Sequence, residues 1–236
     1  MSGDAKLDLV LLWHMHQPDF RDHATGEYAQ PWVYLHAIKD YSDMAAHLEN
    51  HPGVRAVVNF TPVLLDQLED YTEQFAAGRF HDPLLRLLAH PDLTRLDAPE
   101  RRLVLGCCFK ANHHKMIEPY PAFRRLWDFY ALTQQPGTAA EGYLSAQYLG
   151  DLLTWYHLAW VGETVRRRDQ TVPRLLAKAQ NFSHADRMQL VDLIGRETSA
   201  VVPRYRKLAA QGRIELTTSP AFHPIGPLLI SFEAAR

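Results

Sequence analysis

The sequence predicts an α/β fold in which parallel core strands flank a large helical segment. Three apolar segments each end in polar or aromatic residues followed by a proline, as strands do where they leave a sheet: 7–16, 54–60 and 213–219. An amphipathic helix over 35–50 separates the first two strands, and the order strand, helix, strand is typical of a parallel crossover. Roughly 150 residues, 63–211, have a helical pattern and separate the second strand from the third.

The first strand carries the most informative motif of the chain, Trp13-His14-Met15-His16-Gln17-Pro18. Because side chains alternate along a strand, His14 and His16 are predicted to point to the same face. Pro18 cannot donate to a sheet and ends the strand. Two imidazoles at the carboxyl end of a buried parallel strand lie where α/β enzymes place binding groups.

The helical segment contains three capping patterns: Asp97-Ala98-Pro99-Glu100, Thr138-Ala139-Ala140-Glu141 and Ser183-His184-Ala185-Asp186. They predict a helix from 97 to about 116, a long helix after 138, and a helix from 183 to Gly212 that contains Pro203. Three strands are fewer than the roughly seven or eight that a closed barrel needs. We therefore expect residues 1–236 to form a single unit, the first part of a barrel with a helical insertion over about 63–211.

Composition narrows the class of function. A formal net charge of -2 argues against a nucleic-acid-binding protein, which usually has a basic stripe. No apolar run is long enough to span a membrane, and the N-terminus lacks the basic region of a secretion signal, so we expect a cytoplasmic protein. The adjacent Cys107 and Cys108 are expected to be reduced thiols. Thirteen histidines and an aromatic content of 11% suit a sugar-binding site, which combines aromatic faces with hydrogen-bonding groups.

Two regions of the chain resemble glycoside hydrolase family 57. His16-Gln17-Pro18 after an apolar strand resembles the first conserved region of that family. Gly212-Arg213-Ile214-Glu215-Leu216, which leads into Ser219-Pro220-Ala221-Phe222-His223-Pro224, resembles the second. The linking stretch 30–41 also looks like the bacterial members, and the resemblance extends from residue 7 to the end of the chain.

The resemblance implies an incomplete (β/α)7 barrel, similar to a TIM barrel, that hydrolyses or transfers α-glucosidic bonds with retention. It implies an α-glucan or a maltooligosaccharide as the ligand and no cofactor or metal. The residues that it implies for substrate binding are His14, His16, Gln17, Trp32, Glu215 and His223. We expect Glu215 to be a buried carboxylate that orients a sugar or a histidine, and Trp32 and Tyr34 to stack on a glucose ring.

A retaining mechanism needs two carboxylates about 5 Å apart across the scissile bond. The resemblance places both on strands that follow the Pro220–Pro224 loop, and the sequence ends at Arg236. We therefore expect no catalytic residue in this chain, and little or no turnover from it. An exposed parallel edge is also expected to cause self-association.

Other interpretations remain open. His14 and His16 suit the metal site of a deacetylase-like or mannosidase-like barrel, although Asp19 lies beyond Pro18. The chain is also compatible with a non-catalytic carbohydrate-binding remnant. For single residues, His14 can be a hydrogen-bonded core residue, Glu215 can pair with an arginine, and Trp32 can serve packing alone.

Overall fold

The computed structural model describes residues 9–134 and 140–235 and shows an α/β fold with one three-stranded parallel sheet. The strands are β1 (Leu12–Met15), β2 (Ala56–Phe60) and β3 (Ile214–Thr218), in the order β1-β2-β3. The three predicted strands are confirmed, each shorter than its apolar segment. Residues 7 and 8 of the first segment lie outside the described residues.

Helices make up most of the rest. They are α1 (Trp32–His36), α2 (Ser42–Asn50), α3 (Pro62–Ala77), α4 (Pro83–Ala89), α5 (Ala98–Cys108), α6 (Pro121–Thr133), α7 (Ala146–Trp160), α8 (Glu163–Arg168), α9 (Thr171–Lys178), α10 (His184–Ala210) and α11 (Gly226–Ile230). Two π-helical turns, Ala37–Tyr41 and His113–Ile117, and three short 3₁₀ segments, Leu93–Arg95, Ala140–Tyr143 and Phe232–Ala235, complete the described elements.

The helix predicted between the first two strands begins earlier than expected, because helical backbone runs from α1 through a π-helical turn into α2. The helix predicted over 97–116 is shorter. It begins at the Asp97–Glu100 capping box, but it ends at Cys108, and His113 and His114 lie in a separate π-helical turn.

The expected capping box at 138–141 lies outside the described residues, apart from the backbone of 140 and 141. The long helix of that region, α7, begins instead at Ala146, where the Ser145 hydroxyl accepts the backbone N–H of Tyr148. The Ser183–Asp186 capping box does open α10, which continues through Pro203 to Ala210.

The register of the sheet determines which polar residues lie side by side. His14 pairs with Asn59, and Asn59 pairs with Thr217, so these three residues form one row across the sheet. The row lies close to the carboxyl end of every strand, where binding groups are found in parallel sheets. Glu215 pairs with Val57 and lies two residues nearer the amino end.

The first strand was predicted to be buried, and that prediction is wrong for its amino-terminal part. Leu9, Val10 and Leu12 have exposed fractions of 80%, 72% and 59%, whereas Met15 is buried. The reason is that β1 forms an edge of the described sheet, so one side of the strand has no neighbouring strand.

Candidate functional site

Three histidines come together at the carboxyl end of the sheet. The rings of His14 and His16 are stacked with centroids 5.7 Å apart, which confirms that they point the same way. The His223 ring lies 4.7 Å from the His14 ring and 4.9 Å from the His16 ring. We call His14, His16 and His223 the histidine cluster.

The loop that positions His223 is held by one backbone hydrogen bond within the loop and one from the start of α3. The His223 N–H donates to the Pro220 carbonyl at 2.8 Å, and the Val63 N–H at the start of α3 donates to the Ala221 carbonyl at 3.2 Å. His223 has a φ of 50°, a left-handed conformation that few residues other than glycine adopt. Backbone strain of this kind is often found at functional sites.

Asn59 anchors the cluster from the central strand. Its side-chain oxygen accepts from His14 Nδ1 at 2.8 Å and from the Ser219 hydroxyl at 3.0 Å, while its amide donates to the Thr217 hydroxyl at 3.0 Å. Since His14 Nδ1 donates, its Nε2 is the acceptor nitrogen of the neutral ring. The network therefore orients His14 and leaves one ring nitrogen available to a ligand hydroxyl.

The surroundings of His16 favour its neutral form. Burial lowers the pKa of the His16 imidazole, and the charges that His223 and His14 carry when protonated lower it further. A neutral imidazole has one donor and one acceptor nitrogen. That combination suits a sugar hydroxyl, which also both donates and accepts.

Gln17 and Trp32 differ in how they lie relative to the cluster. Gln17 Nε2 donates to the Tyr41 hydroxyl at 3.4 Å, in the π-helical turn after α1. The Trp32 ring is 5.6 Å from Trp160 and 6.4 Å from His36 and has no ring contact with the histidine cluster. The structure therefore brings together His14, His16 and His223, places Gln17 beside them, and keeps Trp32 apart.

The expectation of a buried Glu215 is wrong. Its side chain is exposed and lines a shallow depression with Leu9, Arg55 and Gly212 at the opposite end of the sheet. Among residues 9–134 and 140–235, no ion pair involves Glu215. The reason is positional, because Glu215 follows directly on the first residue of β3, whereas the cluster forms where the strands end.

Tyr34 is not available to stack on a sugar, contrary to expectation. Its side chain is fully buried, and its hydroxyl donates to His157 Nε2 at 2.8 Å. The Nδ1–H of His157 donates to the Leu153 carbonyl at 2.7 Å, and burial lowers the pKa of His157 to about 4. Tyr34 therefore belongs to a buried network that joins α1 to α7.

Asn59 is the residue of this site that sequence reasoning missed. The sequence does contain a pattern that indicates Asn59. This residue lies three residues before Pro62 at the end of the second strand, as His14 and His16 lie shortly before Pro18 at the end of the first. Strand ends in a parallel sheet meet at one edge, so these positions were candidates for contact. The register needed to pair them comes only from the structure.

The donor atoms suit hydrogen bonding to a polyol better than metal binding. In the part of the chain that the structure describes, no group of three or more His, Cys, Asp or Glu side chains has the geometry to hold a metal ion. Within the same residues, no carboxylate contacts the histidine cluster. The cluster can donate to and accept from hydroxyl groups, but it lacks the carboxylate pair that glycosidic bond cleavage uses.

A comparison with protein families identifies the chain. The model of glycosyl hydrolase family 57 matches residues 10–236, nearly the whole length. The chain belongs to glycosyl hydrolase family 57. Membership of family 57 implies glycoside hydrolase or transglycosylase activity on glucans. No curated protein and no solved structure matches the chain.

Within the described ranges, no helix combines the length and the apolar character that a membrane span requires. Among the described elements, α10 is the one helix longer than 18 residues, and it carries charged residues along its length.

Proposed function

We propose that this chain supplies the substrate-binding wall of a retaining α-glucan hydrolase or transglycosylase built on a partial (β/α)7 barrel. The observation that carries the proposal is the histidine cluster, anchored by Asn59 at the carboxyl end of the sheet. In this interpretation the helical segment between β2 and β3 is an insertion into the barrel.

Hydrogen bonding assigns a role to each group. His14 is held through Nδ1, so its Nε2 accepts from a glucose hydroxyl, and His16 and His223 contribute further donor and acceptor nitrogens. Gln17 extends the wall toward the π-helical turn. Preoriented polar groups give specificity because little side-chain freedom is lost on binding.

Bond cleavage is not assigned to these residues. Glu215, the carboxylate that the motif offers, lies at the far end of the sheet, and no carboxylate among the described residues contacts the cluster. We therefore expect the isolated 236-residue chain to bind maltooligosaccharides with little or no turnover.

Calorimetric titration with maltotriose and maltoheptaose tests this function. The wild type is expected to bind, and His16→Ala and Asn59→Leu are each expected to weaken binding by about tenfold, as loss of a buried hydrogen bond would. His114→Ala is the matched control, because that side chain is 87% exposed and lies in a turn remote from the sheet.

Two outcomes would contradict the proposal. The first is a wild-type chain that binds neither sugar, and the second is a His16→Ala variant that binds like the wild type. Amylase or transglycosylase turnover that disappears in Glu215→Gln would show that the chain itself cleaves bonds and that Glu215 takes part.

A further inference from the structure

A second polar and aromatic surface lies beside the histidine cluster, at the π-helical turn Ala37–Tyr41. Single π-helical turns inside α-helices are rare and are frequently found at functional sites. Around this turn, His36 Nδ1 is 2.5 Å from Asp40 Oδ2, and Lys39 Nζ is 3.8 Å from Asp40 Oδ1. All three side chains are partly exposed, by 30% to 40%.

Two indole rings adjoin this surface, Trp32, which is partly buried, and Trp160, which is buried beneath Lys39. Lys39 Nζ lies 5.2 Å from the ring centroid of Trp160, and the His36 ring meets Trp160 edge-on at 5.5 Å. The Trp32 ring lies 5.6 Å from the Trp160 ring. We call Trp32, His36, Lys39, Asp40 and Trp160 together the π-turn face.

Specific contacts hold the two halves of the π-turn face together. Trp160 is the last residue of α7, and the Gly162 N–H just beyond it donates to the Ile38 carbonyl at 2.9 Å. The Asp43 carboxylate then accepts the N–H groups of Glu163 and Thr164, each at 2.9 Å. The indole is therefore positioned on the turn by contacts from both sides of Lys39 and Asp40.

Gln17 and the buried Tyr41 link the π-turn face to the histidine cluster. Gln17, the neighbour of His16 in the chain, donates to the hydroxyl of Tyr41, which is the last residue of the turn. The Tyr41 ring is 6.2 Å from the His36 ring. A path of contacts therefore leads from the imidazoles through Gln17 and Tyr41 to the π-turn face.

The charges of this face are complementary to hydroxyl groups. Burial opposes ionisation of Asp40, but the hydrogen bond to His36 and the charge of Lys39 outweigh it, and the pKa of the carboxyl lies below its usual value. The ionised carboxylate accepts, the ammonium donates, and both stand beside aromatic faces. A pair of exposed ions at helical spacing contributes little to stability, so folding alone does not account for this arrangement.

We propose that the π-turn face binds additional glucosyl units of an α-glucan whose other units contact the histidine cluster. The proposal rests on the proposed function and deepens it, because it predicts a preference for longer chains. A short sugar reaches one of the two surfaces, whereas a long one contacts both. Contacts at two connected surfaces strengthen binding of a ligand that spans them.

Calorimetric titration with maltose and with maltoheptaose tests the chain-length preference. Lys39→Met keeps the aliphatic stem over Trp160, and Asp40→Asn keeps the shape of the side chain. Each is expected to weaken maltoheptaose binding by about five- to tenfold, the effect of losing a charge-assisted hydrogen bond, and to leave maltose binding unchanged. Trp32→Leu is expected to do the same, and Trp32→Phe to restore most of the affinity because an aromatic face remains.

Asp128→Asn is the matched control, since Asp128 is also an exposed partner in a helical ion pair, with Arg124. Acrylamide quenching supplies an independent readout, in which maltoheptaose should protect tryptophan fluorescence in the wild type and less so in Trp32→Phe. Circular dichroism melts establish that each variant is folded.

The outcomes separate this proposal from the proposed function. If maltoheptaose binding depends on His16 but is unchanged in the folded Lys39, Asp40 and Trp32 variants, the π-turn face is not a binding surface and the function of the cluster stands. If the wild type binds no maltooligosaccharide, the proposed function is wrong, and this inference is wrong with it.

Discussion

Asn59 determines how His14 presents its ring. One amide oxygen receives both His14 Nδ1 and the Ser219 hydroxyl, so a single residue of β2 holds groups from β1 and from the loop after β3. The alternation of side chains along a strand predicted that His14 and His16 share a face. It carried no information about the neighbour across the sheet, because register depends on long-range pairing.

The first prediction concerns the titration of His16. Its lowered pKa means that the folded state favours the neutral imidazole. The contribution of this group to stability is therefore fully present above pH 6.5 and is lost as the pH falls through the lowered pKa. In a proton NMR titration, we expect the His16 midpoint below 6.5 in the wild type. In His223→Ala the midpoint should move toward 6.5, and an unchanged midpoint would contradict the contact.

At the scale of secondary-structure elements, a few side chains cap one helix and also hydrogen-bond to a neighbouring helix. Asp82 is an example, because its Oδ1 accepts the N–H groups of Leu84 and Leu85 at the start of α4 and its Oδ2 accepts the Tyr71 hydroxyl of α3. Burial raises the pKa of the Asp82 carboxyl to about 6. Its protonated form is therefore favoured by folding.

The second prediction follows from that raised pKa. Stability from the protonated Asp82 is fully present below about pH 4 and is lost as the pH rises through 6. The pKa difference corresponds to on the order of 3 kcal/mol in the free energy of unfolding. In urea unfolding, the free energy of unfolding of the wild type should fall relative to that of Asp82→Asn between pH 4 and pH 7. A difference between the two proteins that is the same at both pH values would argue against a buried, titrating carboxyl.

The third prediction concerns the corner between α7 and α8. A Cβ added at Gly162 would lie 2.8 Å from an Asp43 carboxylate oxygen, the group that caps α8. Gly162→Ala should therefore displace the cap and cost about 0.5–2 kcal/mol in urea unfolding. Gly106→Ala in α5 is the control, since nothing lies within 4 Å of its added Cβ, and it should be neutral or stabilising.

At the scale of the whole molecule, the described sheet has two edge strands, and each carries an exposed leucine. Leu12 on β1 is 59% exposed and Leu216 on β3 is 49% exposed. Unpaired strand edges with apolar side chains favour pairing with another chain. This organisation leaves each edge strand of the described sheet with one side that has no partner strand.

The fourth prediction is that the isolated chain self-associates. In sedimentation velocity, we expect the weight-average mass to increase with concentration and Leu12→Lys to reduce that increase, because a charge on an edge strand opposes pairing. Leu132→Lys on α6 is a control of matched exposure, 58%, and should have no such effect. A monomer at every concentration would contradict the prediction.

Local patterns in the sequence were sufficient for the strands, for some of the helices and for the candidate histidines. Strand alternation, proline stops and the capping boxes at Asp97 and Ser183 act within a few residues of the chain, so they can be recognised without a structure. The motif around His16, taken together with the Gly212–Leu216 region, likewise indicated the family. The break in the helix after Cys108 was missed, because tertiary packing overrides a local helical pattern.

Tertiary structure alone decided which of these residues meet. Glu215 and His223 lie near each other in the chain, yet the sheet places Glu215 at one end and His223 at the other. Strand register places Asn59 beside His14, and the packing of α7 on α1 forms the π-turn face. The sequence determined the chemistry available at each position, and long-range packing determined its location, because contacts between distant residues depend on the whole fold.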